Sequence, residues 1–176
     1  PEWRNSFRST AFHNTPMIDG EEQNRFVNPR YLWTLHDDAR PELRHWHASE
    51  DVDRFVGTHT GYRRLAVPVS PVRGVMLEKH QHRLLVVDWF EGGGRHSICV
   101  PYHLHPDVTV EPEAPGIWRL RTGSTEFLLA WRDPDVWSSA LGEGWVSPSY
   151  GVKHPAPVIN FIREGPLKPL EIAVMP

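Results

Sequence analysis

The chain has 176 residues, which is long enough for one domain with its own core. Its formal net charge is -3 with neutral histidines, so it lacks the basic excess of a dedicated nucleic-acid-binding protein. Hydrophobic residues make up 39% and charged residues 23%, which excludes disordered and collagen-like chains, and no apolar run approaches the roughly 18 residues of a membrane-spanning helix. Cys99 is the single cysteine and so has no partner for an internal disulfide.

In chain order, the first fifty residues carry weak structural signals. They contain the turn pair Asp19-Gly20 and, at Arg40-Pro41-Glu42-Leu43, a short helical turn. From residue 52 onward, period-two alternation and turn formers such as Gly92-Gly93-Gly94 predict strands. The predicted strands are 52–58, 62–69, 73–79, 82–90, 96–104, 108–111, 116–122, 125–132, 158–163 and 169–174. Short strands at close spacing predict a single all-β domain over residues 1–176, an antiparallel β-sandwich.

Few residues fit a known catalytic pattern. The Gly92-Gly93-Gly94 run lies between two predicted strands and has no Lys-Ser/Thr after it, so it is not a phosphate loop, and no Gly-x-Ser-x-Gly elbow occurs. Cys99 within a strand is interpreted as a core residue. Asp88 ends an apolar run and is either a site residue or a structural one, with the structural role favoured.

Histidine is abundant, with 11 residues in the chain. Residues i and i+2 of a strand project from the same face, so a His-x-His pair can offer two nitrogens to one zinc ion. A third and fourth ligand are not placed by the sequence, and solvated or hydrogen-bonded histidines are the favoured interpretation. The pairs are His45/His47, His80/His82 and His103/His105.

Tryptophan and arginine supply candidate contacts to a sugar polymer. Each of the 8 tryptophans can stack on a sugar ring or fill the core, and arginines can pair with carboxylates or sulfates. The candidate substrate contacts are Arg4, Arg64 and Trp33. Surface solvation explains each arginine equally well, and core packing is the favoured interpretation of any single tryptophan.

The most specific pattern lies between Trp3 and Gln23. It reads WRNSFRSTAFHNTPMIDG, with Gln23 three residues later, and it resembles a motif block of the heparinase II/III-like polysaccharide lyases. The motif residues are Arg8, Ser9, Thr10, His13, Asn14, Thr15, Asp19, Gly20 and Gln23. Later segments follow the family's order: residues 61–65, Arg73, residues 85–88, residues 92–96 and residues 145–151. Pro16 departs from the β-branched residue that is common in the family.

The resemblance implies the C-terminal β-sandwich of a larger enzyme with an N-terminal α/α toroid. Such enzymes cleave uronic-acid polysaccharides by β-elimination, with Tyr and His as base and acid. Those groups would lie before residue 1, so no catalytic residue is expected in this chain. The start at Pro1 rather than Met is read as the start of a piece cut from a longer protein.

His13 is the residue to which the resemblance assigns a metal. It corresponds to a histidine that, in several family members, binds a structural zinc together with an upstream His and an upstream Asp. The parent protein would then hold zinc or another divalent metal, whereas the isolated chain is expected to hold none. The alternative is that His13 forms hydrogen bonds within the sandwich.

These expectations define the functional hypotheses. The leading one is a supporting domain of a polysaccharide lyase whose substrate is an acidic polysaccharide, such as a glycosaminoglycan or alginate, and whose partner is the toroid domain. A polymer substrate favours a periplasmic or secreted protein, and a single cysteine is equally compatible with the cytoplasm. The alternatives are a free carbohydrate-binding module and a structural domain. Without its toroid, the domain is expected to expose an apolar face and to self-associate.

Overall fold

The computed structural model describes residues 2–31 and 33–176, and most of them lie in strands. One helix, α1, spans Glu2–Arg8, and a 3₁₀ turn covers Thr10–Phe12. The strands are β1 Met17–Ile18, β2 Pro41–Ala48, β3 Val52–His59, β4 Val69–Glu78, β5 Arg83–Gly92, β6 Arg95–His103, β7 Thr109–Ala114, β8 Ile117–Thr122, β9 Thr125–Trp131, β10 Ser138–Ser149, β11 Val152–Pro166 and β12 Leu170–Met175.

The strands form two antiparallel sheets. The small sheet has the order β1-β6-β11-β10, and the large sheet has the order β2-β3-β4-β5-β12-β9-β8-β7. Apolar side chains on the facing sides of the sheets form the main core, as alternation along each strand requires. The buried core residues are Ile98, Val100, Leu120, Leu129, Trp137, Ile159, Phe161, Leu170 and Ile172. The predicted all-β sandwich is therefore confirmed.

One end of the large sheet extends beyond this core. Every residue of β2 is exposed, and Leu43 and Trp46 are 62% and 63% exposed. A smaller cluster formed by Ile18, Tyr62 and Val69 lies beside the main core. The structure thus leaves apolar side chains uncovered on β2.

Two sequence predictions of local structure are wrong. Residues 62–69 are not a strand: turn hydrogen bonds join Arg63 N to Thr60 O at 2.9 Å and Leu65 N to Tyr62 O at 3.2 Å. Tyr62 and Val69 are buried from a loop, whereas Ala66 and Val67 are exposed, so this apolar run does not form one face of a strand. The segment at Arg40 to Leu43 is not a helical turn, because β2 begins at Pro41 and pairs with β3. A proline is compatible with a first strand position.

The sequence analysis also missed α1, β10 and the first part of β11. The hairpin β10–β11 contains Gly142, Gly144, Pro155 and Pro157, which interrupt the apolar alternation. Its pairing is nonetheless continuous from Ser138↔Ile162 to Val146↔His154. Pairing between the strands, rather than side-chain pattern, therefore maintains this hairpin.

Candidate functional site

The motif segment, residues 8–23, is organised around Glu22. The Glu22 carboxylate accepts hydrogen bonds from Ser9 Oγ at 2.6 Å, Thr10 N at 2.6 Å and Thr10 Oγ1 at 2.7 Å. Thr10 Oγ1 in turn accepts from Gln23 N at 2.9 Å. The Ser-Thr pair and Gln23 of the motif are thereby joined into one hydrogen-bonded unit.

Asp19 connects the motif segment to the beginning of β6. Its carboxylate contacts His96 Nδ1 at 2.8 Å and accepts from Ser97 N at 2.9 Å, while His96 Nε2 lies 3.1 Å from Gly93 O. Asp19 has a φ of 56° and Gly20 a φ of 68°, a left-handed turn that suits this Asp-Gly pair. The Asp19-Gly20 motif and the Gly92-to-His96 segment therefore form one contact.

His13 lies in a loop that is held from both sides. Asn14 Oδ1 accepts from His103 N at 2.7 Å, Ala11 O lies 2.9 Å from His103 Nε2, and Arg73 Nη1 donates to Asn14 O. The His13 side chain is exposed, and its imidazole makes no hydrogen bond to any described residue. The loop therefore fixes the backbone and leaves the His13 ring free to bind.

A buried ion pair lies beneath this loop. Arg73 Nε and Nη2 each lie 2.7 Å from a carboxylate oxygen of Asp88, and Asp88 is only 1% exposed. A bidentate pair of this kind compensates two charges that would be costly to bury singly. Asp88 is thus a structural residue that, through Arg73, supports the loop at Asn14.

A cavity of about 320 Å³ lies between the motif loop and the β2–β4 end of the large sheet. Its lining includes Pro16, Phe55, His59, Arg73 and Asp88. His59 Nδ1 accepts from Gly61 N at 3.1 Å, and its buried Nε2 has no partner among the described residues. Burial lowers the pKa of His59 to about 4.

The candidate substrate contacts separate into two groups. The Arg4 guanidinium lies 3.5 Å above the centre of the Trp33 ring, and Trp33 is 81% exposed. Arg64 instead donates to Gly61 O at 3.0 Å and to Glu22 O at 2.6 Å. The structure thus brings Arg4 and Trp33 together at the surface and places Arg64 in contacts that hold the motif segment.

Comparison with protein families decides the identity of the domain. The family described as "Heparinase II/III-like, C-terminal" matches residues 1–173. The chain belongs to the heparinase II/III-like family. No curated protein gives a significant match to the chain.

Solved structures share the fold of this heparinase II/III-like domain. The heparan sulfate lyase HepC from Pedobacter heparinus matches with a TM-score of 0.78 at 18% identity, over 99% of this chain and 25% of that one. A heparinase III matches with a TM-score of 0.75 at 16% identity, over 98% of this chain and 25% of that one. The present chain thus spans about a quarter of the length of these structures.

A metal ion at His13 would need further ligands from neighbouring side chains. Within residues 2–31 and 33–176, no group of three or more His, Cys, Asp or Glu side chains is arranged to hold a metal ion. Near His13, the Nε2 of His103 contacts Ala11 O and its Nδ1 is buried. The described residues therefore supply one ligand for a metal, the imidazole of His13, and do not supply the other ligands that a metal site needs.

Other candidate residues from the sequence contact neighbouring side chains and form no recognisable site. Cys99 is half-buried and is not one of the core residues, so its interpretation as a core residue is wrong: its side chain points to the face of β6 opposite Ile98 and Val100. Asn160 Oδ1 lies 3.8 Å from Cys99 Sγ, and burial raises the pKa of this thiol. His80 Nε2 contacts Asp51 at 2.9 Å and His105 Nδ1 lies 3.5 Å from Asp107. None of the helices in the described part of this heparinase II/III-like domain has the length and hydropathy required to span a bilayer.

Two residues that organise the motif were missed by sequence reasoning. Glu22 stands beside Glu21 and has no pattern that separates it from a solvated charge. His96 follows the glycine run, and its contact with Asp19 joins residues 77 positions apart. Neither contact is visible without the fold.

Proposed function

We propose that this domain is the C-terminal part of a polysaccharide lyase that cleaves an acidic, uronic-acid-containing polymer by β-elimination. The observation that carries the proposal is the family match over residues 1–173. The motif residues Ser9, Thr10 and Gln23 are joined through Glu22, and Asn14 holds the loop that carries the exposed His13. A preceding toroid domain would bring the catalytic groups, and the polymer substrate would place the whole protein in the periplasm or outside the cell.

In that reaction, a base removes the proton alpha to the uronate carboxyl group and the glycosidic C–O bond breaks. A double bond forms in the sugar ring, and an acid protonates the leaving oxygen. The residues of this domain have a positioning role and take no part in the reaction itself. Asn14, Arg73 and His103 fix the loop that presents His13. A zinc or other divalent ion bound there, with ligands from the preceding segment, would fasten that segment to the sandwich.

The test compares this chain with the protein from the complete reading frame. Both are incubated with heparan sulfate, alginate and other uronic-acid polymers, and the ultraviolet absorbance of unsaturated uronate products is followed. Activity in the full protein alone is the expected result, accompanied by bound zinc that His13→Ala removes. Activity in neither protein would contradict the proposal and favour a carbohydrate-binding or structural module. Activity in this chain alone would contradict the supporting role.

A further inference from the structure

A second pocket lies on the side of the small sheet that is turned away from the core. Its volume is about 390 Å³, and its walls come from α1, the 3₁₀ turn and the β10–β11 hairpin. Because Ile98 and Val100 face the core, alternation along β6 directs His103 to the opposite side, into this pocket. Nothing described above assigns a ligand to it.

Trp3 and Trp145 line the pocket, and together with Lys153, which lies against both rings, they form what we call its rim. The Trp3 and Trp145 ring centroids lie 5.4 Å apart at an interplanar angle of 71°. Lys153 Nζ lies 3.1 Å from the centre of the Trp3 ring and 4.0 Å from that of Trp145. Its ammonium group forms no ion pair with any described residue. The rim therefore combines flat apolar faces with a cation that lacks a carboxylate partner.

His103 offers a hydrogen-bond acceptor in the same pocket. Its Nε2 lies 2.9 Å from Ala11 O, so Nε2 carries the proton and Nδ1 keeps its lone pair. This Nδ1 is buried without a partner among the described residues. Burial lowers the pKa of His103, which favours the neutral ring. A hydroxyl group that donates to Nδ1 would satisfy it.

We propose that this pocket binds one acidic sugar unit of a polysaccharide, with the carboxylate at Lys153, the ring against Trp3 and Trp145, and a hydroxyl at His103. The proposal rests on the proposed function and names a substrate subsite for it. Glu143 also lines the pocket, and its carboxylate opposes dense sulfation. The favoured ligand is therefore a carboxylated unit with little or no sulfate.

The test is calorimetric titration of this chain with an unsulfated uronic-acid tetrasaccharide, with cellotetraose as the neutral probe. Lys153→Met is expected to weaken uronate binding by about tenfold or more and to leave the weak binding of cellotetraose unchanged. Lys153→Arg is expected to retain most of the affinity, because it keeps the charge. The matched control is Lys168→Met, which removes an exposed lysine from the segment between β11 and β12 and should bind as the wild type does.

Circular dichroism and urea unfolding establish that each variant is folded. Equal affinity in Lys153→Met and wild type, equal binding of both probes, or the same loss in Lys168→Met would overturn the proposal. Should Lys153→Met fail to fold, Trp145→Phe and Lys153→Arg provide the comparison, since both keep the packing of the rim. In the full-length protein, lyase activity without uronate binding at this pocket contradicts the subsite alone, whereas binding without lyase activity contradicts the proposed function alone.

Discussion

At the scale of single residues, buried polar groups explain how the motif loop is supported. Arg73 pairs with Asp88 and also lies 5.8 Å from the centre of the Tyr102 ring. Burial raises the pKa of Tyr102, whose hydroxyl is without a partner among the described residues. The Arg73 guanidinium is thus held by Asp88 and lies near the Tyr102 ring, and from this fixed position it donates a hydrogen bond to the carbonyl of Asn14.

A pH dependence of stability follows from His59. Its folded-state pKa of about 4 lies below the ordinary value of 6.5, so the unfolded chain takes up a proton more readily. The stabilisation is fully present above pH 6.5 and is lost as the pH falls from 6.5 to about 4, by about 2–3 kcal/mol. Urea unfolding at pH 7 and pH 4 measures the loss, which His59→Gln is expected to reduce by that amount.

The control for this prediction is His105→Gln, which changes an exposed histidine at the end of the β6 segment. Its free energy of unfolding should follow the wild-type value at both pH values. If His59→Gln and wild type lose the same free energy between pH 7 and pH 4, the buried ring does not contribute and the prediction is wrong.

At the scale of elements, the motif segment is a loop that the sandwich makes rigid. After Arg8, the last residue of α1, it contains only the 3₁₀ turn and the two-residue strand β1. Asp19 connects it to β6, and Asn14 connects it to β6 and to β4 of the large sheet. Arg8 extends this network by donating to Tyr31 O at 3.3 Å and Thr34 O at 2.9 Å. Short elements are thus held by side-chain hydrogen bonds where backbone pairing is scarce.

Glu22→Gln is expected to loosen this segment. The amide retains the size of the side chain but removes the charge that strengthens three hydrogen bonds, so the free energy of unfolding should fall by about 2 kcal/mol. Hydrogen exchange should show a larger loss of protection in residues 9–23 than in β11.

Glu21→Gln is the matched control. Its side chain is 51% exposed and pairs with Arg64 at 3.1 Å, so its effect should remain below about 1 kcal/mol. Equal effects of the two substitutions would show that the organisation around Glu22 adds no stability to the segment.

At the scale of the whole molecule, the two sheets differ in extent. The small sheet has four strands and the large sheet has eight, so the β2 end of the large sheet presents Leu43 and Trp46 to solvent. Exposed apolar side chains on an edge strand favour association. Self-association of the isolated chain remains a prediction of the sequence analysis, and this surface is where we expect it.

The double substitution Leu43→Lys and Trp46→Lys tests that location. Both side chains are more than half exposed, so the free energy of unfolding should change by only about 0.5 kcal/mol. Sedimentation velocity at high protein concentration should show association in the wild type and monomer in the variant. Leu141→Lys, at a 46% exposed position on β10, should associate as the wild type does. A monomeric wild type would contradict the prediction.

Much of the fold followed from the sequence where apolar alternation was strong. The strands predicted at 82–90, 96–104 and 125–132 correspond to β5, β6 and β9, because each buries one face. The sequence analysis did not predict the whole β10–β11 hairpin, because glycines and prolines interrupt the apolar alternation of its strands. Backbone hydrogen bonds between the two strands hold the hairpin together nonetheless. The segment 62–69 resembles a strand in sequence because it is rich in apolar residues, yet only Tyr62 and Val69 of it are buried.

The sequence by itself determined the all-β class and the family motif between Arg8 and Gln23, because these depend on residue type and local spacing. A metal at His13 stays a prediction that comes from the family resemblance. Tertiary structure decided which partners those residues have: Glu22 for Ser9 and Thr10, and Arg73 for Asp88. It also brought Lys153 to Trp3, across almost the whole length of the chain. Such contacts depend on how the two sheets pack and on where a hairpin ends. A local pattern of residues contains no information on either.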